Sequence, residues 1–133
     1  MITTCIHFQR TCDEAISFYK EALSADVKEI YYAKDAPEGS GMEEYPPNFV
    51  MHSTVVIRGM NFSLTDGGET PVPHGNFSFL IFCNTPEEVT ETFEKLAVGG
   101  TINEQLAPVF FSPLFGEVID RYGVTWQVMV QQH

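Results

Sequence analysis

The chain has 133 residues, 44% of them hydrophobic, with ordinary glycine and proline content. That describes a globular chain able to bury a sizeable core, and excludes a disordered one. Eighteen acidic residues against seven basic ones give a net charge of −11, which repels nucleic acid and anionic membrane, so neither is an expected partner.

No apolar run reaches the length of a membrane span, and Met1-Ile-Thr-Thr lacks a basic region followed by a hydrophobic core. A soluble, cytoplasmic protein is expected. Cys5, Cys12 and Cys83 are odd in number and lack a CxxC spacing. They fit neither a disulfide framework nor a zinc knuckle.

Thr4 to Phe8 alternates weakly and reads as a strand. Thr11-Cys-Asp-Glu14 has the spacing of a capping box, and Ala15, Ile16, Tyr19, Ala22 and Leu23 follow at helical intervals. A helix over Thr11–Ser24 is predicted, then a strand from Ala25 to Tyr32. Residues 33–49 are an acidic loop rich in proline and glycine, read as a lid or an interface arm. A hairpin over 50–66 follows, and Asp66 to Gly75 reads as a linker.

Asn76 to Cys83 is the next strand. Thr85-Pro-Glu-Glu88 is a second capping box with proline at the first helical position, and Val89, Phe93, Leu96 and Ala97 form its apolar stripe. A helix over Thr85–Val98 is expected to end at Gly99-Gly100. Phe110 to Phe115 is an aromatic run, read as core, dimer contact or a wall for a planar ligand. Val118 to Arg121 and Val124 to Val130 form a closing hairpin about Tyr122-Gly123. On its second strand Val124, Trp126, Val128 and Val130 share one face, and Thr125, Gln127 and Met129 the other.

The chain repeats itself. Thr11, Glu14, Ala15 and Tyr19 meet Thr85, Glu88, Val89 and Phe93 at an offset of 74, while Gly59, Phe62, Ser63 and Leu64 meet Gly123, Trp126, Gln127 and Val128 at 64. One domain over 1–133 is therefore expected, with a βαβββ module at about 1–66, another at about 75–131, and the two uncovered sheet faces forming a cleft. By the same offsets His7 falls on Ile81 and Cys5 on Phe79. That puts His7 on the helix-packing side as a structural histidine. Thr4, Ile6 and Phe8 then face inward with Leu80 and Phe82.

Glu14-Ala-Ile-Ser-Phe-Tyr-Lys-Glu-Ala-Leu23, Met51-His52, Leu64-Thr-Asp-Gly67 and Phe115-Gly-Glu-Val-Ile-Asp-Arg-Tyr-Gly-Val-Thr-Trp126 resemble the PhnB-like branch of the vicinal oxygen chelate superfamily. That superfamily includes glyoxalase I, bleomycin-resistance proteins and extradiol dioxygenases. The resemblance implies an α+β fold of two tandem modules, the glyoxalase/bleomycin-resistance/dihydroxybiphenyl dioxygenase fold, and a homodimer. It also implies metal ligands from the first and last strands of each module. The repeat carries those positions onto Thr4, Ser63, Ser78 and Gln127. Hydroxyls and an amide are poor ligands for zinc, nickel or iron, so no metal and no cofactor is expected. They suit hydrogen bonding to a small polar molecule instead, with Phe8 and Phe111 as apolar walls.

His52 is the best general acid–base candidate, placed across from Gly116 and beside Glu117, whose repeat partner is Ser53. A solvated carboxylate is the plainer reading of Glu117. The alternative function is a metal-dependent lyase or dioxygenase with displaced ligands such as His52 and Glu117. Cys12, at the start of a helix, could have its thiol activated by the dipole, but no partner base stands nearby in sequence. Members of this branch also carry a ubiquinone-type methyltransferase label. No glycine-rich nucleotide loop follows a strand here to support it.

Overall fold

The computed structural model describes residues 1–67 and 77–131. Most of the expected linker, and the predicted strand start at Asn76, lie outside them. The chain divides into two compact units, Met1–Pro71 and Val72–His133. Unit 1 runs β1 (Thr4–Phe8), α1 (Cys12–Leu23), β2 (Asp26–Tyr32), β3 (Val50–Ile57) and β4 (Met60–Asp66). Unit 2 runs β5 (Phe79–Cys83), α2 (Pro86–Ala97), β6 (Thr101–Val109), β7 (Ser112–Ile119) and β8 (Thr125–Val130). Each unit makes a four-stranded sheet, ordered β1-β4-β3-β2 in the first and β5-β8-β7-β6 in the second. This is the βαβββ repeat the sequence shows.

Each sheet buries one face beneath its helix. In unit 1, Ala15, Ile16, Tyr19, Ala22 and Leu23 of α1 meet Phe8, Val55, Ile57, Phe62 and Leu64, all buried. In unit 2, Val89, Phe93 and Leu96 cover Ile81, Val118, Trp126 and Val128. The fourth buried residue of α2 is Thr92; Ala97 is only half-buried. The closing alternation holds, with Trp126 and Val128 buried and Thr125 and Gln127 half-exposed.

The helix starts differ. Thr85 caps α2, its hydroxyl accepting from Glu88 N at 3.2 Å, while the Glu88 carboxylate reaches back to Asn84 N at 3.1 Å. Thr11 makes no side-chain cap. Instead Asp66, at the end of β4, accepts from Cys12 N at 3.0 Å and Val50 N at 2.9 Å through its two oxygens. Asp66 therefore belongs to the core of unit 1 and not to the linker. A buried backbone N–H needs a partner, and here a distant carboxylate supplies it.

Two single-residue insertions upset the repeat arithmetic. Thr4, Ile6 and Phe8 pair in register with Phe62, Leu64 and Asp66, whereas Phe79, Ile81 and Cys83 pair with Trp126, Val128 and Val130. Thr4 thus corresponds to Phe79 and not to Ser78. The extra residue lies in the β1–α1 connection, where Arg10 takes a positive φ of 66°. Thr4, Ile6 and Phe8 consequently stand on the helix side, with Phe8 only 3% exposed. Cys5 and His7 take the helix-free side. The inward placement of Thr4 and Phe8, and the helix-side placement of His7, are both corrected, because a shift of one residue reverses every side chain of a strand.

The second insertion is in the hairpins. Ile57 pairs with Met60 across the two-residue turn Arg58-Gly59, both at positive φ as a tight hairpin requires. In unit 2, Asp120 N donates to Val124 O at 2.8 Å, closing a three-residue loop that ends at Gly123, φ 87°. Val55 therefore matches Val118, Thr54 matches Glu117, and Ser53 matches Gly116. His52 matches Phe115 and does not stand at the Gly116 position.

The loop of residues 33–49 is closed at its base, with Ala33 N donating to Phe49 O at 2.8 Å. Arg10 lies over the Tyr45 ring at 5.7 Å. The Glu43 carboxyl, which accepts from Gly39 N and Gly41 N, is held below the usual range by backbone N–H groups, its own first.

Candidate functional site

The helix-free face of unit 1 is polar. Along β1 it carries Cys5 and His7, each opposite a hydroxyl of β4, Ser63 and Thr65. Thr65 is buried, and its oxygen lies 3.0 Å from His7 Nδ1 and 3.9 Å from Cys5 Sγ. On the other two strands His52 faces Tyr31, and Thr54 faces Glu29. His52 Nε2 is 3.2 Å from Glu29 Oε1, and the Thr54 hydroxyl donates to that same oxygen at 3.4 Å. The Tyr31 ring stacks on His52 with centroids 6.1 Å apart. His52 thus has an oriented carboxylate partner, but it is Glu29 from β2. Its Nδ1 is the atom left for proton transfer.

The helix-free face of unit 2 mixes apolar groups with one polar cluster. Leu80 and Phe82 of β5 oppose Gln127 and Met129 of β8, and Leu80 and Phe82 are 43% and 52% exposed. Phe115 on β7 also opposes Met129. Across β7 and β8, Gln127 Nε2 donates to Glu117 Oε1 at 2.9 Å, and Asn103 Nδ2 donates to Glu117 Oε2 at 3.0 Å. Glu117 therefore makes its described side-chain bonds within unit 2, to two amides. Phe111 lies in the β6–β7 turn, edge-on to Phe110 at 5.1 Å and to Phe115 at 5.7 Å. Ser78 directly precedes β5 and is half-buried.

Cys12 is excluded as a reactive thiol by its surroundings. It is fully buried, and burial first, then the Asp66 and Asp13 carboxylates, push its pKa up. Desolvation outweighs the helix dipole here.

A family profile described as 3-demethylubiquinone-9 3-methyltransferase matches residues 1–129. The chain belongs to this family. Its PhnB-like character shows in the relatives. A Bacillus cereus structure described as a 3-demethylubiquinone-9 3-methyltransferase, PhnB protein, is 29% identical with a TM-score of 0.77, covering 98% of each chain. The Escherichia coli protein YjdN is 27% identical over 94% of this chain and 91% of its own length. The fosfomycin resistance protein FosX of Listeria monocytogenes, 10% identical, covers 99% of this chain and 93% of its own with a TM-score of 0.70. That likeness is one of fold alone, and it places the PhnB-like chain in the glyoxalase fold.

The wider superfamily implies a divalent ion, which needs three or more converging imidazole, carboxylate or thiolate donors. Among the described residues no three such side chains stand at that spacing. Of the four positions taken from the repeat, Thr4 is on the helix side, Ser63 and Ser78 are hydroxyls, and Gln127 is an amide bonded to Glu117. This donor set does not fit a resident metal. Glu29, Asn103 and Thr65 are the site neighbours that sequence reasoning missed. Period-two alternation places Glu29 on an exposed face but cannot say that it meets His52.

Proposed function

We propose that this PhnB-like protein binds a small organic molecule on its helix-free sheet faces without a resident metal ion. The observation that carries the reading is the make-up of the unit 2 face, where the Gln127 amide stands opposite exposed Leu80, with Phe82, also exposed, further along the same strand. Apolar walls with a few oriented polar groups are the composition of small-ligand sites. Ser63, Ser78 and Gln127 supply hydrogen bonds, and Phe111 extends the aromatic surface begun by Phe115. The Thr65–His7 pair replaces Thr4 in that set. Assembly as a homodimer in the cytoplasm belongs to the same reading, with Phe110 and Phe111 as the exposed aromatic contact.

The His52–Glu29 pair favours a second, catalytic reading. Glu29 orients the imidazole, which would move a proton to or from a bound substrate. The metal-dependent lyase reading gains less, since His52 is engaged by Glu29 and both Glu117 oxygens by amides. Methyl transfer is not supported by this chain. The strand-to-helix connections Gln9-Arg10-Thr11 and Asn84-Thr85 contain no glycine to cradle a nucleotide.

Elemental analysis after dialysis tests the metal-free reading. Wild type is expected at background zinc, nickel and iron, with Gln127→Glu raised above it. A stoichiometric ion retained by wild type would falsify this proposal. Native mass spectrometry of freshly purified protein should show a co-purifying small molecule.

A further inference from the structure

The Gln127–Glu117 contact fixes more than a side chain. A carboxylate offers only acceptors, so the NH2 end of the Gln127 amide must face it, at 2.9 Å. The Asn103 amide holds the other Glu117 oxygen at 3.0 Å. Both Glu117 oxygens are thus engaged by amides of neighbouring strands, and Gln127 Oε1, an acceptor, is directed away from the carboxylate. On the neighbouring strand β5, Leu80 stands opposite Gln127 and Phe82 opposite Met129, both side chains exposed. On β6, Glu104 opposes Glu117 in register, and like charges directly across a ladder favour a neighbouring cation.

On the small-molecule reading above, we propose that the helix-free face of unit 2 takes a protonated amine carried on an apolar, aromatic body. The body lies on Leu80 and Phe82, and the ammonium donates to Gln127 Oε1. Glu117 is the specificity-determining residue. It keeps the amide in the orientation that accepts, and its charge opposes an anion. Without it the Gln127 amide is free to turn and to serve donors and acceptors alike. The amide orientation decides the ligand class; the acidic surroundings reinforce it.

Three matched probes test this: phenethylamine, phenethyl alcohol and hydrocinnamate, which differ only in the polar end group. Binding is followed by NMR at the Leu80 and Met129 methyls and the Gln127 side-chain amide. Phenethylamine should shift all three and bind at least about tenfold more tightly than hydrocinnamate, which corresponds to about 1.4 kcal/mol. In Glu117→Gln that preference should fall to within about twofold, on the same orientation argument. Gln127→Met should lose it as well while keeping the methyl shifts, and decides the matter if Glu117→Gln loses the dispersed Trp126 indole signal of a folded unit. Hydrocinnamate binding as well as phenethylamine at these residues, or a preference unchanged in the folded variants, overturns the proposal and leaves small-molecule binding standing. If no probe shifts any residue of either helix-free face and no molecule co-purifies, the small-molecule reading falls with it.

Discussion

Two aspartates do for this chain what its capping threonine and turn glycine cannot do alone. Asp120 accepts from Tyr122 N at 2.8 Å, Val124 N at 3.1 Å and the Trp126 indole at 2.9 Å, and is 3% exposed. Its carboxylate joins the hairpin loop to the largest core side chain of unit 2. Asp120→Ala leaves three donors without that partner and should cost about 3 kcal/mol or more, read as a lower urea midpoint. Asp66 plays the same part in unit 1, so Asp66→Ala should cost about 3 kcal/mol. Tyr32 donates to Asp13 Oδ1 at 2.7 Å, and that bond, with lesser help from burial, pushes its pKa up to about 12 from 10.0. The folded state binds the phenol proton more tightly than the unfolded state does. The associated stability is fully present below pH 10 and is lost as pH rises toward about 12. Tyr32→Phe should remove that alkaline step from a stability–pH profile and, after allowance for solvent screening, cost only about 1 kcal/mol.

At the scale of the element, identical-looking helix starts behave differently. The Thr85 hydroxyl accepts from Glu88 N, whereas the Thr11 side chain makes no cap at the start of α1. Thr85→Ala should therefore lower stability by about 1 kcal/mol, while Thr11→Ala should fall within about 0.5 kcal/mol of wild type. Equal losses in thermal melts would show that the Asp66 cap is not what holds α1. The α2–β6 turn is tighter still. A Cβ on Gly100 would collide with the Ile119 carbonyl oxygen and lie 3.0 Å from Asp120 Cα. Backbone cannot swing aside as a side chain can, so Gly100→Ala should cost about 3 kcal/mol, through strain transmitted to β7.

For the whole molecule, the net charge of −11 sets behaviour toward partners. Retention on a polyanion such as heparin is not expected even at low salt. Among the described residues no helix is long and apolar enough to cross a membrane. Phe110, 99% exposed at the β6–β7 turn, and Phe111 beside it are the aromatic surface assigned to self-association. Light scattering at micromolar concentration should give a dimer mass, and Phe110→Ser with Phe111→Ser should shift it toward the monomer.

The sequence by itself determined the elements and their repetition. Helical and alternating periods are local, and Thr85-Pro-Glu-Glu, Tyr122-Gly123 and the stripe of α1 each carry their meaning within a few residues. It also placed Trp126, Phe62 and Ile81 on the covered faces and Gln127 opposite, because the closing strand has a clear alternation. The tertiary structure decided the first strand and the pairing of the site. Thr4 to Phe8 alternates too weakly to declare its own register, so in the sequence only the repeat offset speaks for its facing. One extra residue at Arg10 was enough to exchange Thr4 and Phe8 for Cys5 and His7. The third residue in the β7–β8 turn likewise moved Glu117 from the Ser53 position to that of Thr54. Partners such as Glu29 for His52 and Asn103 for Glu117 meet only through sheet order. A side chain's face is a local property of the strand, but what stands beside it depends on which strand lies next and in what register.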